Sequence, residues 1–317
     1  MLRFILDRLW HTFLVLLAIS FITFFIMYKA GDPVQLLLPP DATQAQVIQM
    51  RHTLGLDGSF FIQYKGFLLQ LSHGHLGTSF LYGEPALTVV LERLPATLEL
   101  AVLAMFFAIL IGIPLGVSAA VHHGKWQEKI IMFFSLTGIS IPVFWIAMVL
   151  VLLFSVTFNI LPSSGRGTVY LFSSAFTWDG IRHLIMPVTT LTLFQLALII
   201  RLTQSGMREV LSKEYIRFAR ARGLSPSRII YTHGLRNTLI PLMTVIGLQF
   251  GQLIAFTIVT ETIFAWPGTG KLIIDAIQNL DRPVVVAYLL IIALIFVAIN
   301  FTVDLLYTFI DPRIRLR

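Results

Sequence analysis

Six stretches of the chain run almost free of charge: Thr12–Tyr28, Leu100–Val121, Ile130–Phe158, Leu184–Ile200, Thr238–Thr260 and Val284–Ile310, the last interrupted by Asp304. A helix rising about 1.5 Å per residue needs about 20 mostly apolar residues to cross roughly 30 Å of hydrocarbon. The pattern therefore predicts an all-α polytopic membrane protein with six transmembrane helices. The third stretch is the longest, and no Asp, Glu, Lys or Arg occurs from Ile130 to Gly165. A helical hairpin would need about 40 residues plus a turn, so one long helix bent near Pro142 is expected.

The connections differ in length. Residues 29–98 carry a helical pattern around Ala42–Leu54, which Asp41 or Thr43 can cap, and an apolar-periodic run over Phe60–Leu71 that ends in the turn-rich Ser72–Gly77. Too few apolar residues fall here for an independent core, so a small extracytoplasmic element is expected. The other long connection, 201–236, holds a short helical pattern from Glu214 to Ala221. Gly223 fits the stop after a helix, and Pro226 follows. Ala219, Ala221 and Gly223 give it small positions; Arg217, Arg220 and Arg222 give it a basic face. A loop that only anchors a membrane protein needs the charge. The small positions also admit close approach of a partner surface, whose carboxylates the arginines can pair.

Charge sets the expected orientation. Residues 1–11, 122–129, 201–236 and 311–317 hold 15 Lys and Arg in 62 residues, whereas 29–98, 159–183 and 262–283 hold 8 in 117. This bias predicts that both termini are cytoplasmic. Met1–Leu9 alternates apolar and basic residues and is expected along the cytoplasmic interface, within an interfacial segment 1–11. The first apolar run leaves through Tyr28–Pro33 without a small-x-small cleavage site and reads as an uncleaved anchor. The same bias accounts for the net charge of +7 without nucleic acid. With 56% apolar and 12% charged residues, a soluble enzyme is excluded, because it would show large apolar patches to water. The absence of cysteine excludes disulfides and thiol chemistry.

Motifs of catalysis are missing. Pro267–Lys271 looks like part of a phosphate-binding loop, but Ala265 stands where the first glycine belongs and Leu272 follows the lysine. His73 with His75, and His122 with His123, lack carboxylate or thiolate companions, so no metal site is expected. Gly112–Gly116 and Gly247–Gly251 are spaced for close helix packing. Glu99 and Glu261 fall at the outer ends of spans, where carboxylates ordinarily reach the interface. Gln249 and Gln252 lie deeper in the fifth span and are candidates for a polar pathway. A channel or ion-coupled secondary transporter would call for buried charges or paired broken helices, which are few here, and a membrane enzyme for a clustered His/Asp/Glu site.

Glu214–Leu224, continuing through His233–Pro241, resembles the conserved cytoplasmic loop of ABC importer permeases of the dipeptide/oligopeptide/nickel branch. Gly31-Asp32-Pro33, Glu261–Gly270 and Asp311–Arg315 agree, and Thr97–Leu100 and Ser140–Trp145 look like dipeptide-permease members in particular. Gly74-His75 and Leu280–Pro283 depart from that branch's usual Gly-Asp and Arg-Asp-Tyr-Pro. The resemblance implies a bacterial inner-membrane permease subunit that hydrolyses nothing itself and holds no cofactor. Its implied partners are a second homologous permease, two ABC ATPase subunits that bind ATP and Mg, an extracytoplasmic substrate-binding protein, and membrane lipid. It implies that Glu214, Tyr215, Phe218, Ala219, Ala221, Gly223 and Leu224 form a coupling helix against an ATPase. Peptides are the implied cargo, with nickel, glutathione or antimicrobial peptides as alternatives within the branch.

Overall fold

The computed structural model describes residues 2–39 and 41–310, and only the backbone of residues 2–9, Ile139 and 304–310. The side chain of Asp304 and the terminal Asp311–Arg315 thus lie outside the described residues. In chain order the helices are α1 (Leu2–Ala30), α2 (Val34–Leu37), α3 (Gln44–Thr53), α4 (Phe60–Ser72), α5 (Ala86–Val121), α6 (Trp126–Ser140), α7 (Val143–Leu150), α8 (Trp178–Ser212), α9 (Glu214–Ala221), α10 (Arg236–Ile263), α11 (Thr269–Gln278) and α12 (Arg282–Ile310). Wider π-helical turns extend α7 over Val151–Thr157 and precede α10 over Arg228–Leu235. Among the described residues five helices are long and apolar enough to span a membrane, six if the broken pair α6–α7 is counted as one span. Among the described residues two compact units form, one from 2–96 with 267–298, the other from 97–266 with 299–310.

In the first unit, α1 runs unbroken through the segment expected to lie on the interface. Thr43, not Asp41, caps α3: its Oγ1 accepts from Gln46 N at 3.4 Å while Gln46 Oε1 accepts from Thr43 N at 2.8 Å. Within 29–98, α4 packs along α1. Phe60, Tyr64 and Phe67 interlock with Phe21, Phe24 and Tyr28 of α1, and the hydroxyls of Ser20 and Tyr64 are 3.0 Å apart. These α1 residues belong to the C-terminal half of the first apolar run, so α4 lies along that half. Thirteen residues, about 20 Å, are too few to cross. Phe61, Ile62 and Leu69 on its other side are exposed, as suits a helix facing lipid.

The departure at Leu280–Pro283 acquires a structural role in this unit. Asp281, fully buried, accepts from Ser79 Oγ at 2.5 Å and from the backbone of Phe80 and Leu81 at 3.2 and 3.3 Å. Arg282 donates to the Gly31 carbonyl at 2.6 Å and lies over the Tyr28 ring.

In the second unit α8 is the central strut, with α6, α7 and α10 against it. The predicted close packing at Gly112–Gly116 is toward α8: a Cβ on Gly112 would meet Ile199 Cγ2 at 2.8 Å, and one on Gly116 would meet Thr203 Cβ at 2.5 Å and the Ile200 carbonyl at 2.8 Å. Gly247 packs as closely on Val303. The third span breaks at Ile141-Pro142, as expected, but turns through 97°. Proline cannot supply the amide hydrogen a continuing helix needs, and it pushes its predecessor out of helical geometry; Ile141 is extended, with φ −90° and ψ 127°.

Candidate functional site

The 201–236 connection is built as two arms and a crosspiece. α8 ends at Ser212, Lys213 takes an extended conformation (φ −66°, ψ 152°), and α9 starts in a new direction. Lys213 Nζ is 2.9 Å from Glu209 Oε1, and this hydrogen bond, with the attraction between the charges, raises the amine's pKa. At the far end, Gly223 has φ +76°, Gly223 N donates to Arg220 O at 3.0 Å, and Leu224 N donates to Ala219 O at 3.3 Å. Both bonds together are a Schellman ending, which needs the left-handed conformation that glycine adopts freely. It folds Leu224 back onto Ile216, Ala219 and Ile229.

The arms meet at small residues. A Cβ on Gly206 would meet Thr238 Cγ2 at 2.7 Å, and one on Gly234 would meet Met207 Cε at 3.0 Å. α9 is therefore carried on a tightly packed base shared by α8 and α10.

This geometry sorts the predicted interface residues. Ile216 and Ala219 point inward. At 100° per residue, the outward direction falls on Glu214, Arg217, Phe218 and Ala221, all exposed. The expectation that Ala219 faces a partner is corrected: its methyl packs within this chain, because Ile229 and Leu211 fill the space beneath α9. Leu224 is likewise turned mostly to the chain's own cluster. Tyr215 is exposed at the flank, but its hydroxyl accepts from Asn237 Nδ2 at 2.8 Å. Gly223 is exposed, and an added Cβ would meet nothing within 4 Å. Arg217, read in the sequence only as part of a basic face, belongs to the outward face, about 50° from its centre at Glu214 and Ala221; helical phase measured from the buried Ile216 and Ala219 is the signal that finds it.

The pathway candidates separate as well. The Gln249 carbonyl accepts from Gln195 Nε2 of α8 at 3.4 Å, and Gln195 is almost wholly buried. Gln249 thus sits at a link between α8 and α10. Gln252 is exposed, in a stripe with Leu248, Ala255, Phe256 and Val259.

At the opposite end of the unit, sequence reasoning missed a polar lock. Glu261 is fully buried, and the Glu99 side chain is 5% exposed. Glu261 accepts from Thr97 Oγ1 at 2.7 Å. Glu99 accepts from Arg166 through Nη2 at 2.7 Å and Nε at 3.0 Å, and from Ser173 Oγ, Ser174 N and Ala175 N at 2.8, 2.5 and 3.2 Å. Arg166 also holds the Phe172 carbonyl at 2.8 Å and lies over the Trp266 ring. The lock supports a two-residue hairpin in which Leu171 (φ +47°) and Phe172 (φ +71°) occupy a region that side chains rarely adopt. Tyr170, Leu171 and Phe172 project into the open from it.

Residues 112–316 match the family described as binding-protein-dependent transport system inner membrane component, and residues 1–101 match the N-terminal family described for the same membrane components. The dipeptide transport system permease protein DppB of Escherichia coli strain K12 is 41% identical over 99% of both chains. The protein of the same name from Alkalihalophilus pseudofirmus is 38% identical over 99% of this chain and 100% of that one. A di/tripeptide transport system permease protein of Pseudomonas aeruginosa is 40% identical over 99% of both. Among solved structures, a chain from the inward-facing MetNI methionine ABC transporter shares the fold, with a TM-score of 0.56 at 16% identity, over 70% of this chain and 96% of that one.

Proposed function

The chain belongs to the family of binding-protein-dependent transport system inner membrane components, multi-pass permease subunits of ABC transporters, and from that premise we propose that it forms half of the pathway of a dipeptide or oligopeptide importer. It pairs with a second, homologous permease; two ATPase subunits bind ATP and Mg and hydrolyse the nucleotide; an extracytoplasmic binding protein delivers the peptide. The observation that carries this reading is the build of α9. Its buried side is fastened to α8 and the base of α10, and its outward side offers Glu214, Arg217, Phe218 and Ala221. Movement of a docked ATPase is then passed as a push on two membrane helices. A loop free to flex would absorb the same push.

Two further features support the reading. Gln252 lies in an otherwise apolar exposed stripe of α10; an amide facing lipid would lack hydrogen-bond partners, which favours a second permease or the aqueous pathway on that side. The hairpin tip at Tyr170–Phe172, rigidly held on the side read as extracytoplasmic, suits engagement by the binding protein.

The absence of native cysteine gives a clean test. In the assembled transporter, a cysteine at Ala221 is expected to cross-link to a cysteine placed on the ATPase cleft, and a cysteine at Ala219 is not. Cross-linking from Ala219 alone, or from neither, would contradict the assignment of the outward face.

A further inference from the structure

Beside α9 lies a pocket of about 530 Å³ that the transport reading does not use. Its floor is apolar, with Val121 from the last turn of α5, Leu211 from the end of α8 and Ile230 from the π-helical segment. Its cationic side chains are Arg208 and Arg220, with His123 alongside. No Asp or Glu is among its lining residues. Among the described residues neither arginine forms an ion pair; His123 Nδ1 is 2.9 Å from Glu128 Oε2. Arg220 lies at the flank of α9, about 70° from the buried stripe of Ile216 and Ala219, so it turns toward the membrane helices and away from the centre of the outward face.

The composition of this pocket specifies an amphipathic anion. Unpaired guanidinium groups bind phosphate well, and an apolar floor accepts the upper part of an acyl chain. The level in the membrane agrees: Val121 closes the apolar span of α5, so the pocket opens where hydrocarbon gives way to headgroups. Basic pockets at the ends of membrane helices on the cytoplasmic side are suited to anionic lipid headgroups. We propose that this pocket holds one anionic phospholipid, its phosphate between Arg208 and Arg220 and an acyl chain along Val121, Leu211 and Ile230. The lipid would wedge α9 against α5 and α8, so that an anionic leaflet stiffens the connection to the motor.

The test uses the complete detergent-purified transporter with its ATPase subunits, without ATP or peptide, so the outcome does not depend on what is transported. Native mass spectrometry of the delipidated wild-type complex is expected to show phosphatidylglycerol adding in preference to phosphatidylcholine. The double variant Arg208→Gln/Arg220→Gln is expected to lose the preference, with binding about thirtyfold weaker if each arginine contributes near an anionic surface as usual. Arg222→Gln, which lies outside the pocket, is expected to retain it. Equal binding of the two lipids, an unchanged double variant, or inorganic phosphate binding as tightly as phosphatidylglycerol would overturn the proposal. The last result would assign a simple phosphate site.

Discussion

The ending of α9 offers a quantitative test of how the connection works, because at Gly223 backbone and space can be separated. The residue sits at φ +76°, and an added Cβ would meet nothing within 4 Å in this chain. Alanine there carries only the cost of the left-handed conformation, about 1–2 kcal/mol. Asparagine tolerates that conformation and should carry less. The cost acts on one local equilibrium: whether Leu224 N–H reaches the Ala219 carbonyl and Leu224 stays on Ile216 and Ile229. A penalty of 1–2 kcal/mol lowers that equilibrium constant by about 5- to 30-fold, which bounds the loss of coupling. We expect peptide-stimulated ATPase activity of the reconstituted transporter to fall within that bound for Gly223→Ala and to stay within about threefold of wild type for Gly223→Asn. Tryptophan has the backbone cost of alanine and needs room that only a partner could deny it. A loss with Gly223→Trp well beyond the alanine loss would therefore report the ATPase wall. Equal losses for asparagine and alanine would refute the backbone argument. Wild-type behaviour of all three would refute a coupling role for this position.

Removing one half of the Glu99–Arg166 pair strands a buried charge, so Arg166→Ala should cost about 3–5 kcal/mol, read as a lower thermal midpoint in detergent. Glu99→Gln/Arg166→Met, which removes both charges, should lose less; a double variant as unstable as the single would argue against the pair. Gly112→Ala and Gly116→Ala should each cost about 1–3 kcal/mol by overpacking α5 against α8. Ile199→Ala should relieve the first only in part, since Cγ2 is removed but the Ile199 Cβ stays 3.1 Å from the new methyl. Thr203→Ser should not relieve the second, because the Ile200 carbonyl remains 2.8 Å from the new methyl. Thermal midpoints of the paired variants check both.

Local chemistry in the sequence announced the local features of this fold. Thr43 with Gln46 marks the start of α3, Pro142 marks the break in the third span, and Gly223 with Pro226 ends α9. What stayed hidden depends on residues far apart. The apolar period of Phe60–Leu71 was visible, but its docking along α1 is fixed by Ser20 and Tyr64, 44 positions apart. Glu99 looked like an interfacial carboxylate because its partner Arg166 follows 67 residues later. Asp281 and Arg282 looked only like departures from a familiar pattern, since the Ser79 hydroxyl and the Gly31 carbonyl they engage lie more than 200 residues upstream. Ala219 was assigned outward because small size alone cannot tell a docking face from a packed one. The inward Ile216, three positions before it, held that information.

As the peptide-conducting permease subunit of an ATP-driven importer, this chain should be indispensable for uptake. The most direct measurement is uptake of a labelled dipeptide into proteoliposomes containing this chain, its permease partner, both ATPase subunits and the binding protein. Accumulation is expected to require ATP and the binding protein, to stop when the chain is omitted, and to fall to background when the outward face of α9 is blocked through a cysteine at Ala221. Uptake that persists without the ATPases or without this chain would contradict it. So would a complete, ATP-hydrolysing assembly that accumulates no peptide.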